Sequence, residues 1–578
     1  MTAVALGVAV VLGGCVTQPT GGTTGSPTPT RSTRSTPSTP STPAATATLP
    51  LPGPQTNPVS RNSLQTGGDL TLAVSQLVDD WNPWNVSPFA LPDALDAMLP
   101  RLFIRAADGT LAWDATWLAS EPAVTYGRRT DLPTPPSPSS PSSPASPSGT
   151  RATPPPSGPM TVVYNLAAAA VWSDGTPLTA ADFRATWAAC AADPGPGCAD
   201  RGFAQITGVS EGQTPQQVIV DYDSPYPDWA NTFARGPLRD GTITADRWVS
   251  PSAHAGAYSG PFRFASLIGN TLTLQRNPLW WGNPPLLDRL KFTVIEDLSL
   301  AYLTHTIDGF WTTDPNLASQ LSQVAGQGQR RGPGADGRYL AFNCSSGPLA
   351  DTAVRQAVAA TLDRGALAAS DLAGWAWTGP PLNSPLWLTG QPEFTNLAAG
   401  KAADAAALLD AAGWLAGTDG VRTRSGTTLA WDFVVPTGDA LAENEALGLR
   451  VQLAAIGIRL NLKYADAPEL ADALVDGGMT ATTWHHTTAL AAAEKYVTGN
   501  PLGYSSAAVD DLARRAAAAP DAATQTALLA TLAETVWRDA PVIPLYDVPD
   551  TLLIRTTLAN YGPDGLGTTL WENVGWTR

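Results

Sequence analysis

Alternating and helical patterns of hydrophobic residues interleave along most of the chain. Residues 68–74 and 270–275 alternate apolar and polar side chains, which predicts β-strands. Thr179 begins a capping-box pattern, and Phe183 and Trp187 lie four positions apart, on one face of the helix that follows. Further helices are predicted at 351–362, 402–412, 447–456 and, as a pair, 507–537, and further strands at 338–343 and 458–462. Because strands and helices interleave without an internal repeat, we expect a large α/β or α+β body.

Two tracts rich in Pro, Ser and Thr interrupt this pattern. Residues 16–65 carry too few apolar side chains to bury a core, so we predict a disordered tether there. Residues 130–159 have a similar composition and lie between two apparent strands, 122–126 and 160–165. We interpret this second tract as a disordered insertion within a hairpin, and not as a domain boundary.

The first fifteen residues resemble the signal of a bacterial lipoprotein. Residues 3–12 are apolar, but this run is too short to span a bilayer, for which about 20 residues are needed. The run ends in Leu-Gly-Gly-Cys at 12–15, which resembles a lipobox. The resemblance implies that 1–15 comprise the signal and a lipid-bearing Cys15, which would anchor the protein to the outer face of the cell membrane. A frayed apolar N-terminus is the alternative.

Composition narrows the range of functions. The chain of 578 residues has a formal net charge of −16 at pH 7, which argues against a nucleic-acid partner, since such proteins neutralise phosphates with Lys and Arg. Its 43% hydrophobic residues suffice for sizeable cores. Cys190 and Cys198 flank a turn-rich loop that a disulfide could close in an extracytoplasmic protein, the alternative being two free thiols.

Motifs typical of enzymes lack their usual structural context. Residues 208–212 match G-x-S-x-G, but the strand pattern at 218–222 follows where a nucleophile elbow needs a helix. Residues 332–337 match G-x-G-x-x-G, but a strand pattern again follows. The 4 His residues show no zinc-binding spacing. We therefore predict no catalytic residue, no metal site and no cofactor.

Several sequence blocks follow one another along the chain. The first is Val-Trp-Ser-Asp-Gly-Thr-Pro-Leu-Thr-Ala-Ala-Asp-Phe at 171–183. The others lie at 259–264, 274–282, 341–344, 354–358, 405–414, 503–510 and 540–546. In this order the blocks resemble those of extracellular solute-binding protein family 5, the peptide and nickel receptors of ABC importers. The resemblance extends over roughly 66–546, most of the chain.

This resemblance implies an α/β fold with two lobes that close on a ligand like a clamp, with an extra subdomain inserted in the first lobe. The implied boundaries are 66–98, 255–338 and 541–578 for the core of lobe one, 99–254 for the inserted subdomain, and 339–540 for lobe two. We expect a monomer that binds a small solute or peptide without altering it and passes it to an ABC permease and ATPase.

The resemblance also implies which residues line the cleft between the lobes. They are Asp80, Asn82 and Trp84 from the first lobe, and Phe342, Asn343, Cys344, Trp484, His485, His486 and Thr487 from the second. In peptide receptors of this family an Asp two or three residues after the Trp pairs with the ligand's α-ammonium group. Here His486 and Thr487 occupy those positions, so we predict that a free amino group is not required. The two imidazoles could contact a metal chelate, a carboxylate or a sugar hydroxyl, or could be exposed loop residues.

The ligand class therefore stays open between an oligopeptide, a metal chelate, a glycan and another polar solute. A different function is the alternative. Lipoproteins of this fold in mycolate-making bacteria resemble the present chain in their long Pro/Ser insertions, and they act in the assembly of envelope glycolipids instead of import.

Overall fold

The computed structural model describes residues 53–78, 80–82, 92–127, 157–192, 198, 202–242, 251–375, 382–394, 396–397, 402–437, 439–466 and 478–578. Cys15, Trp84, the tether up to residue 52 and most of the insertion at 130–159 lie outside the described residues.

The elements of the described residues follow the predicted mixture of strands and helices. The strands are β1 Asp69–Val74, β2 Phe103–Arg105, β3 Leu111–Trp113, β4 Ala123–Tyr126, β5 Met160–Asn165, β6 Ile206–Glu211, β7 Gln217–Tyr222, β8 Phe262–Ile268, β9 Thr271–Arg276, β10 Arg289–Val294, β11 Gly309–Trp311, β12 Gln327–Phe342, β13 Leu415–Ala416, β14 Arg422–Arg424, β15 Thr427–Thr428, β16 Ala430–Pro436, β17 Arg459–Ala465, β18 Met479–His485, β19 Val542–Arg555, β20 Leu558–Ala559 and β21 Gly575–Trp576. The α-helices are α1 Pro92–Met98, α2 Ala180–Ala192, α3 Trp229–Thr232, α4 Leu298–Leu303, α5 Pro315–Leu321, α6 Thr352–Thr361, α7 Arg364–Asp371, α8 Ala402–Ala411, α9 Ala440–Ala454, α10 Ala489–Glu494, α11 Ala507–Ala517 and α12 Ala522–Asp539. Short 3₁₀ helices lie at Arg61–Ser63, Phe203–Gln205, Pro251–Ala257, Pro348–Ala350, Ala373–Trp375 and Trp571–Asn573.

A sheet of ten strands runs through the molecule in the order β17-β16-β18-β12-β19-β11-β1-β10-β9-β8. Its first half is formed by β11, β1, β10, β9 and β8, and its second half by β16, β17 and β18. The long strands β12 and β19 pair antiparallel between the two halves, from Gln327 opposite Arg555 to Ala341 opposite Val542. The chain passes from the first half to the second along β12 and returns along β19. Their pairing register shifts between Pro333 and Asp336, which interrupts the ladder where the strands cross between the halves.

Smaller sheets are built onto this frame. The strands β4-β5-β7-β6 form one sheet, and β2-β3, β13-β14-β15 and β20-β21 form three more. Strands β4 and β5 pair antiparallel, with Tyr126 opposite Met160, so the insertion at 130–159 connects two paired strands as predicted.

Three large clusters of buried apolar side chains hold these layers together. One lies against the first half of the large sheet and includes Leu72 and Phe292. A second includes Phe433 of the second half. The third contains both Tyr164 of the four-stranded sheet and Tyr339 of β12, and it thereby connects that sheet to the long strand between the two halves. Burial of such apolar surface is the main stabilising contribution to the fold.

The end of the predicted tether is ordered, contrary to our expectation for residues up to 65. The Gln55 backbone N–H donates to the Pro563 carbonyl at 2.9 Å, and Leu64 forms an isolated β-bridge with Thr577. Leu64 is also buried. The composition of the tract did not predict this order, because the partners come from the opposite end of the chain.

The cysteines occupy two different environments. Cys190 at the end of α2 and Cys198 are joined by a disulfide, which is the first of the two alternatives considered above. Cys344 is a free thiol, and burial raises its pKa to about 11. Within the ranges that the structure describes, no helix is both long and apolar enough to cross a membrane.

Candidate ligand-binding site

The predicted segment of the first lobe follows β1, and Asp80 and Asn82 are its described members. Asn82 is 1% exposed, and its backbone N–H donates to Asp80 Oδ1 at 2.9 Å. The buried Tyr258 donates its hydroxyl to the Trp81 carbonyl at 3.0 Å. These hydrogen bonds fix the chain locally at 80–82, a few residues after the end of β1.

The predicted contacts at the end of β12 have mainly structural positions. Phe342 is 1% exposed and belongs to the apolar cluster of the second half. The Asn343 side chain accepts from the backbone N–H of Ser345 at 2.8 Å and from its hydroxyl at 2.6 Å, which forms a local turn. The Cys344 backbone N–H donates to the Leu502 carbonyl at 2.7 Å. That these three residues contact ligand stays a prediction.

Trp484, near the end of β18, lies in an aromatic stack and is half-buried. Its ring stacks on Tyr339 at a centroid distance of 4.6 Å and an interplanar angle of 27°. Lys495 places its Nζ 4.9 Å from the centre of the Trp484 ring. Thr487 is also half-buried, just beyond the end of the strand. A half-buried aromatic ring next to polar groups is typical of a small-molecule site.

The two neighbouring imidazoles lie in different environments. His485 is exposed, and its Nδ1 lies 2.8 Å from Asp336 Oδ1. His486 is 4% exposed, and its Nε2 lies 2.7 Å from the Tyr339 hydroxyl. Burial lowers the pKa of His486 to about 3, so its imidazole is neutral at physiological pH. Successive side chains of an extended segment point to opposite faces, and the pair is therefore not arranged to hold one ligand together.

Four carboxyl groups influence one another electrostatically on and near the long strands, and we call them the carboxylate row: Asp93, Asp336 on β12, Asp550 on β19 and Asp564. Burial raises the pKa of Asp550 to about 8, with Asp336 and Asp564 adding to the shift. Burial likewise raises the pKa of Asp564 to about 6. The pKa of Asp93 is raised to about 6 by burial, although the Tyr561 hydroxyl donates to its Oδ2 at 2.7 Å. Sequence reasoning missed this row because its members share no motif and meet only in the folded chain.

A buried ion pair positions the strand that carries Trp484. Arg338 on β12 is 3% exposed and Glu445 on α9 is fully buried. The Arg338 guanidinium donates to Glu445 through Nε at 2.9 Å and through a terminal nitrogen at 2.8 Å. Its other terminal nitrogen donates to Thr483 Oγ1 at 3.0 Å, directly before Trp484. The guanidinium thereby connects β12, β18 and α9 at the base of the candidate site.

Comparison with known proteins identifies the family. The family model described as "Bacterial extracellular solute-binding proteins, family 5 Middle" matches residues 122–500, more than half of the chain. The chain belongs to family 5 of the bacterial extracellular solute-binding proteins. It is accordingly an extracytoplasmic binding protein and not an enzyme. This outcome agrees with the resemblance found in the sequence blocks.

Individual relatives are consistent with this assignment. The chain is 26% identical over 546 residues to the oligopeptide-binding protein OppA of Mycobacterium tuberculosis, which covers 89% of this chain and 86% of the relative. A shorter match, 29% identical over 132 residues, covers 22% of this chain and 20% of the probable monoacyl phosphatidylinositol tetramannoside-binding protein LpqW of the same species.

Solved structures confirm the predicted fold class. The periplasmic EDTA-binding protein EppA superposes with a TM-score of 0.73 at 22% identity, covering 91% of this chain and 98% of that protein. The fold is the two-lobed α/β fold of periplasmic binding proteins of this family.

Proposed function

We propose that this protein captures an oligopeptide, or a polar solute of similar size, between two lobes and delivers it to an ABC permease with its ATPase. The observation that carries the proposal is the path of the chain, which crosses between the halves of the large sheet along β12 and β19, where the ladder is interrupted. Two crossing strands of this kind suit a hinge, and closure is favoured when ligand touches both sides. The OppA relative favours a peptide ligand.

The proposed cleft lies between lobe one, 66–98 with 255–338 and 541–578, and lobe two, 339–540, with the subdomain 99–254 inserted in lobe one. Within it, the turn at Asp80 and Asn82 would face Trp484 and its neighbours. The half-buried Trp484 ring offers an apolar surface to a side chain or to the peptide backbone.

Small-angle scattering and calorimetry on the purified protein test the clamp. A pool of short synthetic peptides should bind, and saturating peptide should reduce the radius of gyration. Trp484→Ala should weaken binding by about 1–3 kcal/mol, because it removes a buried aromatic contact. Binding without compaction would contradict the clamp, and failure of every peptide to bind would contradict the ligand class.

Asp336 offers an acidic group beside the segment in which family receptors carry their Asp. Its carboxylate lies 2.8 Å from His485 Nδ1 and belongs to the carboxylate row. We propose that this carboxylate takes over the role of that Asp, so that a free amino terminus is recognised here. The prediction from His486 and Thr487 that no free amino group is required is the alternative, and the same measurement distinguishes the two. A free-amine peptide should bind at least tenfold more tightly than its acetylated form, about 1.4 kcal/mol, and Asp336→Asn should abolish the difference. Equal affinities of the two peptides for the unaltered protein would refute this role.

The lipid anchor at Cys15 is part of the proposal. The Leu-Gly-Gly-Cys sequence and the polar tether after it support a protein held at the outer face of the cell membrane. Cys15→Ala should move the protein from the membrane fraction to the soluble fraction of its host, whereas unchanged membrane association would exclude this anchor.

A role in envelope glycolipid assembly is the second candidate, favoured by the short match to LpqW. Native mass spectrometry of the protein purified from its own host distinguishes the two. A bound peptide supports import, and a bound glycolipid supports the second candidate.

A further inference from the structure

A tyrosine hydroxyl lies between two buried carboxyl groups at the base of the second half of the sheet. Tyr546 on β19 places its hydroxyl 3.1 Å from Asp371 Oδ2 and 3.0 Å from Glu445 Oε1. Asp371 at the end of α7 is 7% exposed, and Glu445 is fully buried. The second oxygen of Asp371, Oδ1, is buried and has no hydrogen-bond partner among the described residues.

Counting protons decides how these three groups are bonded. A hydroxyl has one proton and can donate it to only one carboxylate. Both short contacts are therefore hydrogen bonds only if one carboxyl group carries a proton and donates it to the tyrosine oxygen. Glu445 already accepts two hydrogen bonds from the Arg338 guanidinium, at 2.9 and 2.8 Å, which favours its ionised form. The proton is accordingly left to Asp371.

The charges around Asp371 support the same assignment. Helix α9 contributes Glu445, with Asp439 at its N-cap, β12 contributes Arg338, and β19 contributes Tyr546. The 3₁₀ turn Ala373–Trp375, which also packs on α7, has no titratable side chain. An ionised Asp371 would thus place three carboxylates around a single guanidinium in a buried site, which is unfavourable. Burial raises the pKa of Asp371 to about 7, and Glu445 adds to this shift.

We propose that Asp371 is a buried proton switch: it is protonated and donates to Tyr546 in the folded protein, and its loss of that proton weakens the packing of α7 on the long strands. The switch lies next to the proposed hinge, because Tyr546 and Arg338 belong to the two strands that cross between the halves of the sheet.

The sign of the pH effect follows from linkage. A carboxyl whose pKa is higher in the folded than in the unfolded chain stabilises the fold fully below its unfolded pKa, and this stabilisation is lost as pH rises through the folded pKa. For Asp371 the window extends from about pH 4 to about pH 7. At a pH near 6, unfolding should therefore release the proton held on Asp371.

The full-length protein, unfolded by denaturant in weakly buffered solution at about pH 6, tests the assignment through the number of protons released. The unaltered protein should release about one proton more than Asp371→Asn, whose amide can still donate to Tyr546 but cannot ionise. The unfolding constant of the unaltered protein should also rise about tenfold or more relative to that of Asp371→Asn between about pH 5 and about pH 8. Asp363→Asn, which changes the exposed carboxylate at the other end of α7, should release as many protons as the unaltered protein.

Equal proton release by the unaltered protein and Asp371→Asn would overturn the proposal. If Asp371→Asn does not fold, difference infrared spectroscopy of the unaltered protein provides the test. Among the carbonyl bands of protonated carboxyl groups at about pH 5, one should shift in Tyr546→Phe and disappear at about pH 8, while the bands of the carboxylate row should be unchanged in that variant. Absence of this band at the lower pH would equally exclude a protonated Asp371. Neither readout requires a ligand, so either result is independent of whether the proposed peptide-binding function is correct.

Discussion

Removing the charge of Glu445 should destabilise the protein strongly, because the change leaves the buried guanidinium of Arg338 without its principal partner. Removing one partner of a buried ion pair typically lowers the free energy of unfolding by about 3–5 kcal/mol. Asp439 remains 3.2 Å from Arg338, but its side chain is 28% exposed. Because water screens its attraction to the guanidinium, Asp439 does not replace Glu445. We therefore expect Glu445→Gln to lower the free energy of unfolding by about 3 kcal/mol.

Differential scanning calorimetry measures this effect, and the same helix offers a control. For a folding unit of roughly 200 residues, which is the size of the predicted lobe two (339–540), a loss of about 3 kcal/mol corresponds to a melting temperature lower by about 6–12 °C. Glu443→Gln changes an exposed carboxylate on α9 that accepts from the hydroxyl of the exposed Tyr464 at 2.7 Å, and the change should cost less than about 0.5 kcal/mol. A Glu445→Gln protein that melts with the control would refute the view that this ion pair supports the base of the site.

Three further perturbations follow from the structure. Replacing 130–159 by a short Gly/Ser turn should leave the melting temperature nearly unchanged, since each doubling of loop length costs only about 0.6 kcal/mol and the flanking strands already pair; loss of folding would show that the insertion is structural. Replacing Cys190 and Cys198 by Ser should lower the stability by about 2.5 kcal/mol, because the disulfide closes a short loop; equal denaturant midpoints in the oxidised protein and the variant would contradict this. His486 has a lowered pKa, so its contribution is present above about pH 6.5 and is lost as pH falls toward 3. His486→Gln should therefore unfold less steeply in acid, and an unchanged acid transition measured by circular dichroism would count against the buried neutral imidazole.

Local patterns in the sequence predicted many of the strands and helices, because the periodicity of a strand or helix is visible among neighbouring residues. The alternation at 68–74 corresponds to β1, and the capping-box pattern at Thr179 precedes α2. Helix α9 was predicted to begin at 447 but begins at Ala440, with Asp439 as its N-cap. Its first turns are rich in Ala and polar residues, so the apolar periodicity that marks a helix is weak there.

The family could be recognised from the sequence alone, because its blocks follow in order along the chain and need no knowledge of contacts. The same resemblance predicted that the segment around Trp484 belongs to the ligand site. What the side chains of that segment contact depends on the tertiary structure. His485 and His486 are adjacent in sequence, yet one faces Asp336 in solvent and the other is buried against Tyr339. Asp371, Glu445 and Tyr546 likewise meet from three distant parts of the chain. Burial and proximity set the charge of such groups, and both arise only when distant segments pack together.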